Sequence, residues 1–382
     1  MKINHLLLIL FIFLFTGCHS FTKNPSPTQA PYTPLQNETL PQATQTSSEE
    51  CGQVFANTAS TFDIMEANRR LGRTVNLGEA LEFSNEGNLV LFLNQEIYQI
   101  IKSAGFTAVR VPINFAAHSL SKSPYTVQPI FFEHVDKIVN FAIKCNLVVI
   151  INMHNFGAEG DVPPEQTDRF IAIWKQVAEH YRDYPDNQIY FELTNEPGEY
   201  LGPGSWNDLL AKTTKVIRQS NPTRPIIITP SQFGSPSGLV GLRLPKDENF
   251  ILTFHYYAPM MFTHQGADWL KGSKIWLGTT WDGTNKDLST IEQDFTKVAD
   301  WAEEHSIPVF LGEFGSLSYA DQASRVRWTT AVRQAAESHG FSWGYWDLCI
   351  LKEPTFGIVN CNKYVFEVNP GNIDMLHALI PK

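Results

Sequence analysis

Between about residue 62 and the C-terminus, eight apolar runs of strand length alternate with helical patterns. This repetition constrains the fold more than any other property of the chain. The runs are Arg73–Leu77, Thr107–Val111, Leu147–Asn152, Gln188–Thr194, Pro225–Thr229, Phe250–His255, Ile307–Gly312 and Phe341–Trp346. Helical periodicity occupies Gln95–Ala104, Ile130–Lys144, Asp168–His180, Ser205–Gln219, Ile291–Glu304 and Gln322–His339. Strand–helix units repeated in this way over roughly 320 residues predict an α/β fold, a (β/α)8 TIM barrel. The competing architecture is an open doubly wound sheet. That sheet normally carries a Gly-x-Gly-x-x-Gly turn after its first strand, and this chain has none.

The barrel pattern occupies 51–382, read as a single catalytic domain. Residues 1–18 read as a removable leader: Lys2 and His5 precede the apolar stretch Leu6–Phe15, which is short for a bilayer span and suits a signal h-region. The leader ends Leu-Phe-Thr-Gly-Cys (14–18), and a Gly-Cys step there resembles a bacterial lipoprotein signal with Cys18 as the acylated residue. Plain secretion and a retained anchor are the alternatives. Residues 19–50 carry five prolines among many Ser, Thr and Gln, a composition that predicts a disordered spacer. Export permits disulfides. With Cys18 lipidated, Cys51, Cys145, Cys349 and Cys361 remain; Cys349 with Cys361 is the preferred pair, and Cys51 with Cys145 is open.

A barrel keeps its chemistry at the C-terminal ends of its strands. Read there, the chain offers Asn76, Arg110, His154, Asn195 with Glu196, His255 with Tyr257, Glu313 and Trp346, while the fifth strand contributes nothing obvious. Glu196 and Glu313 each close an apolar run, where an acidic side chain is costly unless it has a task. Two carboxylates converging from two strands are what glycosidic bond cleavage requires, one to protonate the departing oxygen and one to attack the anomeric carbon. Asn195 beside Glu196 is placed to orient a sugar hydroxyl, and Pro197 turns the chain. A nucleophile must stay ionised, which Arg110 and Tyr257 would support, so Glu196 is assigned as acid/base and Glu313 as nucleophile.

The bland alternatives are specific too. Each glutamate would be structural if it only paired with a buried cation, and Glu192, on the same face as Glu196, is expected to do that with Arg110. His154 and His255 with the two glutamates suggest a divalent metal site, but no His-x-His or His-Glu-x-x-His pattern accompanies them, and no cofactor is expected. The long interval 257–290 holds Phe262, His264, Trp269, Trp276 and Trp281, candidates for sugar-stacking platforms or for loop packing, with Trp206 and Phe156 as weaker candidates. A formal net charge of −10 gives no basic footprint for nucleic acid.

Taken in order, Val-Arg-Val-Pro (109–112), Asn-Met-His-Asn (152–155), Leu-Thr-Asn-Glu-Pro (193–197), Phe-His-Tyr-Tyr (254–257), Phe-Leu-Gly-Glu-Phe-Gly (310–315) and Trp-Gly-Tyr-Trp (343–346) resemble glycoside hydrolase family 5, the cellulase family. Asn-Leu-Gly-Glu-Ala-Leu-Glu (76–82) and Phe-Thr-His-Gln-Gly-Ala-Asp-Trp (262–269) are similar to a bacterial endoglucanase subgroup, some members of which also cleave mannan. The resemblance implies a retaining mechanism with Glu196 as proton donor and Glu313 as nucleophile. It also implies subsite roles for Arg110, His154, Asn195, His255, Tyr257 and Trp346, with Asn76, Glu82, His264 and Trp269 contacting sugar. Asn155 stands where relatives often have a second His, which bears on subsite preference.

The expectation is therefore an exported, lipid-anchored, monomeric endo-β-1,4-glucanase acting on a β-linked polysaccharide or oligosaccharide. A mannanase or mixed-linkage glucanase on the same scaffold, an inactive carbohydrate-binding surface protein, and a metal-dependent barrel hydrolase are its rivals.

Overall fold

The strands close on one another in the order in which the chain makes them. The computed structural model describes residues 51, 63–83, 94–156, 161–362, 365–367 and 370–381. The leader with Cys18 and the spacer 19–50 lie outside the described residues. Eight parallel strands, β1 (Arg73–Asn76), β2 (Ala108–Ile113), β3 (Val148–Met153), β4 (Ile189–Glu192), β5 (Ile226–Ile228), β6 (Phe250–His255), β7 (Val309–Phe314) and β8 (Ser342–Tyr345), form a closed barrel in which β8 pairs back onto β1. The helices are α1 (Ile64–Leu71), α2 (Gln95–Ser103), α3 (Pro129–Lys144), α4 (Thr167–Tyr181), α5 (Pro203–Ile217), α6 (Met260–Thr263), α7 (Asn285–His305), α8 (Gln322–Ser338) and α9 (Pro370–Leu379). After β5 a single 3-10 turn, Pro236–Leu239, replaces a helix. None of the helices among the described residues is long and apolar enough to cross a membrane.

Period-two alternation sorts each strand into two cores. Ala108, Val148, Ile150, Tyr190, Ile227, Ile251 and Phe310 face the barrel interior, while neighbours such as Val109, Val149, Phe191, Leu252 and Leu311 pack under the helices. Strands covered on both sides are therefore apolar at nearly every position, as Val148–Ile151 is.

The sequence reading did not assign α1, which closes the floor of the barrel. Asp63 caps it by accepting from the Met65 N–H, and Ala67 and Leu71 join the interior cluster. Asn68 Nδ2 donates to the Val309 carbonyl at 2.9 Å, the Ser342 hydroxyl donates to Asn68 Oδ1 at 2.8 Å, and the Tyr190 hydroxyl donates to the Ala67 carbonyl at 2.9 Å. Helix α7 begins at Asn285, earlier than its apolar periodicity suggests, because Thr284 and Asp287 form a capping box ahead of the first apolar residue.

Both candidate disulfides are present. Cys349–Cys361 ties β9 (Cys349–Ile350) to β10 (Val359–Asn362) in a small sheet completed by β11 (Val365–Glu367). Cys51–Cys145, left open by the sequence, joins residues 94 apart at the C-terminus of α3, just before β3. In the loop-entropy picture a closure of that length stabilises by about 4–5 kcal/mol.

Candidate active site

The mouth of the barrel is organised around one buried cation. Arg110, inward-facing on β2 and fully buried, uses all five of its N–H donors. Nε and Nη2 grip the two oxygens of Glu192 at 2.7 Å each, Nη1 donates to Asn76 Oδ1 at 2.8 Å and to Glu313 Oε1 at 2.6 Å, and Nη2 also reaches Asn195 Oδ1 at 2.8 Å. The expected Glu192–Arg110 pair is thus a bidentate ion pair in the barrel interior.

This arrangement revises two sugar-contact assignments. Asn76 is fully buried, and its Nδ2 donates to the Gly312 and Tyr345 carbonyls at 3.1 and 3.0 Å while its Oδ1 serves Arg110. With every donor of Arg110 and Asn76 spent inside the protein, both act as positioning groups rather than as substrate contacts. Asn195 likewise commits its carbonyl oxygen to Arg110.

Glu313 reaches this network through an irregularity in β7. Phe310 faces the interior and Leu311 the helices, so strict alternation would turn Glu313 away from the mouth. The pairing between β6 and β7 slips at this point: Phe254 lies opposite Leu311, but His255 lies opposite Glu313, leaving Gly312 as an extra residue. Such a bulge re-aims the side chain that follows it. Glu313 Oε1 then meets Arg110, and Oε2 accepts from the Tyr257 hydroxyl at 2.9 Å. Burial alone would raise the Glu313 pKa. The charges of His255 and Arg110 and the Tyr257 bond outweigh it and hold the carboxyl well below its ordinary range.

Glu196 sits just beyond β4 with its side chain 32% exposed, and its Oε1 lies 2.7 Å from His255 Nδ1. The same nitrogen is 3.7 Å from Glu313 Oε2. Burial pushes the His255 pKa down, but the Glu313 charge and the Glu196 hydrogen bond more than offset it, and the net shift is upward. His154 behaves oppositely. Burial lowers its pKa to about 3, so at neutral pH it is an uncharged ring, bonded through Nδ1 to Asn152 Oδ1 at 2.8 Å and stacked on Trp346 at 5.4 Å. One ligand atom from each of Glu196, His255 and Glu313 lies within 4.8 Å of the others, which among the described residues is the grouping able to hold a metal ion. Arg110 donating directly to Glu313 opposes a cation there.

The flanks complete the mouth. Asn155 Nδ2 donates to the Glu82 carbonyl at 2.7 Å, and the buried Glu82 carboxyl accepts from the Glu79 N–H at 2.7 Å. Burial lifts the Glu82 pKa to about 8. His264 is buried between Tyr257 and Phe356, and burial lowers its pKa to about 4. Trp269, 67% exposed, packs edge-on beside His264 and stands as the open ring of the long loop. Phe262, Trp281, Trp206 and Phe156 are all buried packing residues, which removes the four of them from the stacking candidates. The fifth strand does contribute: its loop brings the exposed Phe233 beside Gly198 and the Gly234 carbonyl to the His255 N–H. Nothing in the composition of Gln-Phe-Gly (232–234) signals this, because it depends on consecutive left-handed residues there.

The family model for cellulase (glycosyl hydrolase family 5) matches residues 79–351, a span that begins at the Glu79 turn and takes in both glutamates. The chain belongs to this family. It is a glycoside hydrolase. Endoglucanase H of Acetivibrio thermocellus is 33% identical over 292 residues, a match covering 76% of this chain and 31% of that much longer protein. Among solved structures, endoglucanase Cel5A of the hyperthermophile Thermotoga maritima is 39% identical, with a TM-score of 0.77 over 84% of this chain and 100% of that one. Structures of the same Thermotoga enzyme, also 39% identical with a TM-score of 0.77 and 83% of this chain covered, have been solved with cellobiose and with mannotriose.

Proposed function

We propose that this family 5 hydrolase is a retaining endo-β-1,4-glucanase, with Glu313 as nucleophile and Glu196 as acid/base. The observation that carries the reading is the division of labour between the two carboxylates. Glu313 is enclosed by donors that favour its charged form, as an attacking carboxylate needs, while Glu196 is part-exposed and bonded to one histidine. One oxygen of Glu196 lies within 4.8 Å of one oxygen of Glu313, a closeness that favours direct attack over the roughly 6.5–9.5 Å separation that leaves room for a water in inverting enzymes. In the first step Glu313 attacks the anomeric carbon, the glycosidic C–O bond breaks, and the Glu196 proton goes to the leaving oxygen. In the second step Glu196 takes a proton from water, whose oxygen displaces Glu313. Tyr257, whose pKa burial and the neighbouring carboxylates raise well above its usual value, stays a hydrogen-bond donor to Glu313 throughout.

The glucan preference is supported by the relatives' names, and mannan is the second reading because the Thermotoga relative was crystallised with mannotriose. Reducing-sugar release from carboxymethylcellulose, mixed-linkage glucan, glucomannan and mannan, followed by product sizing, tests this. Faster cleavage of the glucans into mixed oligomers supports the reading, and exclusive cleavage of mannan overturns it. Export with acylation at Cys18 is part of the proposal, motivated by the leader and consistent with two disulfides. A Cys18→Ser variant that still partitions into the detergent phase would contradict it.

A further inference from the structure

The mechanism above leaves the departing sugar without a partner. The rings already placed at the mouth gather on the Glu313 side: Tyr257 donates to Glu313, His264 stands edge-on to Tyr257, and Trp269 packs beside His264 and Phe356. On the Glu196 side Phe233 stands open, 58% exposed on the loop after β5. Its N–H donates to the Pro197 carbonyl at 3.1 Å, and the carbonyl of the following Gly234 accepts from the N–H of His255, the partner of Glu196. The phenyl ring lies tight over Gly198, where an added Cβ would stand 3.0 Å from Phe233 Cε1. Backbone and ring thus both tie Phe233 to the two residues that follow Glu196. The turn is strained as well. Phe233 has a φ of +58°, between Gln232 at +60° and Gly234 at +68°, a left-handed conformation that a bulky side chain disfavours. A phenyl ring held open to water in such a turn is unfavourable for folding on both counts, which points to a task at this rim.

We propose that Phe233 is the stacking platform for the sugar that departs with the Glu196 proton, and that the same ring seats an incoming sugar in the second step, so that the protein transfers glycosyl groups to oligosaccharides as well as to water. The inference rests on the reading of Glu196 as acid/base and Glu313 as nucleophile. The bond to Glu313 forms on the face of the anomeric carbon opposite the bond that breaks. The departing sugar therefore lies away from Glu313, beside the carboxyl that protonates its oxygen, and that is where Phe233 stands. The ring can cover the apolar C–H face of a pyranose while the sugar hydroxyls stay in water. In the transfer step an acceptor hydroxyl takes the place of water. Its oxygen bonds to the anomeric carbon as the C–O bond to Glu313 breaks, and its proton goes to Glu196. Water needs no ring to hold it, so Phe233 sets the balance between transfer and hydrolysis.

The test compares Phe233→Ala with the parent on two donors. Cellotetraose releases a sugar, which can stack; β-cellobiosyl fluoride releases a fluoride ion, which cannot. For the variant, kcat/KM should fall about tenfold on cellotetraose and by less than about twofold on the fluoride. With the fluoride as donor and cellobiose added as acceptor, the ratio of transfer product to hydrolysis product should also fall about tenfold. Phe233→Tyr, which keeps the ring, should stay close to the parent in both measurements. Equal losses on the two donors, no loss on cellotetraose, an unchanged transfer ratio, or a tyrosine variant as impaired as alanine would overturn the proposal. The parent protein separates this inference from the glutamate assignment beneath it. Release of α-configured cellobiose from the β-fluoride would refute the double displacement itself. Retained configuration with no transfer product at saturating acceptor would refute the role of Phe233 and leave the two glutamates as assigned.

Discussion

The two ends of the barrel solve opposite problems with the same strands. At the floor, α1 and the lower strand residues meet in an apolar cluster whose polar groups, Asn68, Ser342 and the Tyr190 hydroxyl, are neutral and paired. At the mouth, the same inward-facing positions carry Arg110, Glu192 and Glu313, charges that burial penalises unless their partners are all in place. The floor can lose a bond and keep its shape. The mouth behaves as a unit, because Arg110 alone satisfies two carboxylates and two amides. Stability is gained at one end and committed at the other, a division that barrel enzymes allow because each strand presents both ends.

The largest expected effect lies at the mouth. Glu313→Gln should cut turnover by about 10⁴-fold or more while oligosaccharide binding, measured calorimetrically, persists. Arg110→Met should then cost about 3–5 kcal/mol in urea-midpoint stability, because it strands Glu192 and Glu313 without their cation. At the floor, Tyr190→Phe should cost about 1 kcal/mol and leave kcat unaltered. A Tyr190→Phe loss matching that of Arg110→Met would abolish the contrast between the two ends.

The smallest effect is a tilt with pH. Glu82 has its folded pKa raised to about 8, so the folded state holds a proton that the unfolded state releases near the ordinary glutamate value of 4.5. Its contribution to stability is therefore intact below that lower value and declines as pH rises toward 8. Glu82→Gln, which cannot ionise, should melt close to the parent near pH 4 and progressively above it toward pH 8. A constant difference across that range would show that burial of this carboxyl is not the cause.

Much of this was legible before any coordinates. Periodicity placed all eight strands, because a parallel barrel buries both faces and so writes long apolar runs. The Arg110–Glu192 pair followed from alternation along β2 and β4. Three features were not legible, each for a physical reason. α1 spans only Ile64–Leu71, too short for a periodic signal, and its use depends on the barrel floor it fills. The bulge at Gly312 lies in the pairing of two strands, which no single strand encodes, although Glu313 faces the mouth only because of it. Asn76 and Arg110 sit at strand ends as contact residues would, and only the hydrogen-bond count shows that they have nothing left to offer a sugar.

The central claim is that Glu313 becomes covalently attached to the sugar while Glu196 manages the proton. A 2-deoxy-2-fluoro cellobioside with an activated leaving group, incubated with the protein and followed by peptide mass mapping, measures this directly. The account predicts one sugar per chain, carried on the peptide containing Glu313. A label on any other residue, or hydrolysis that inverts the anomeric centre with no trapped species, would contradict it.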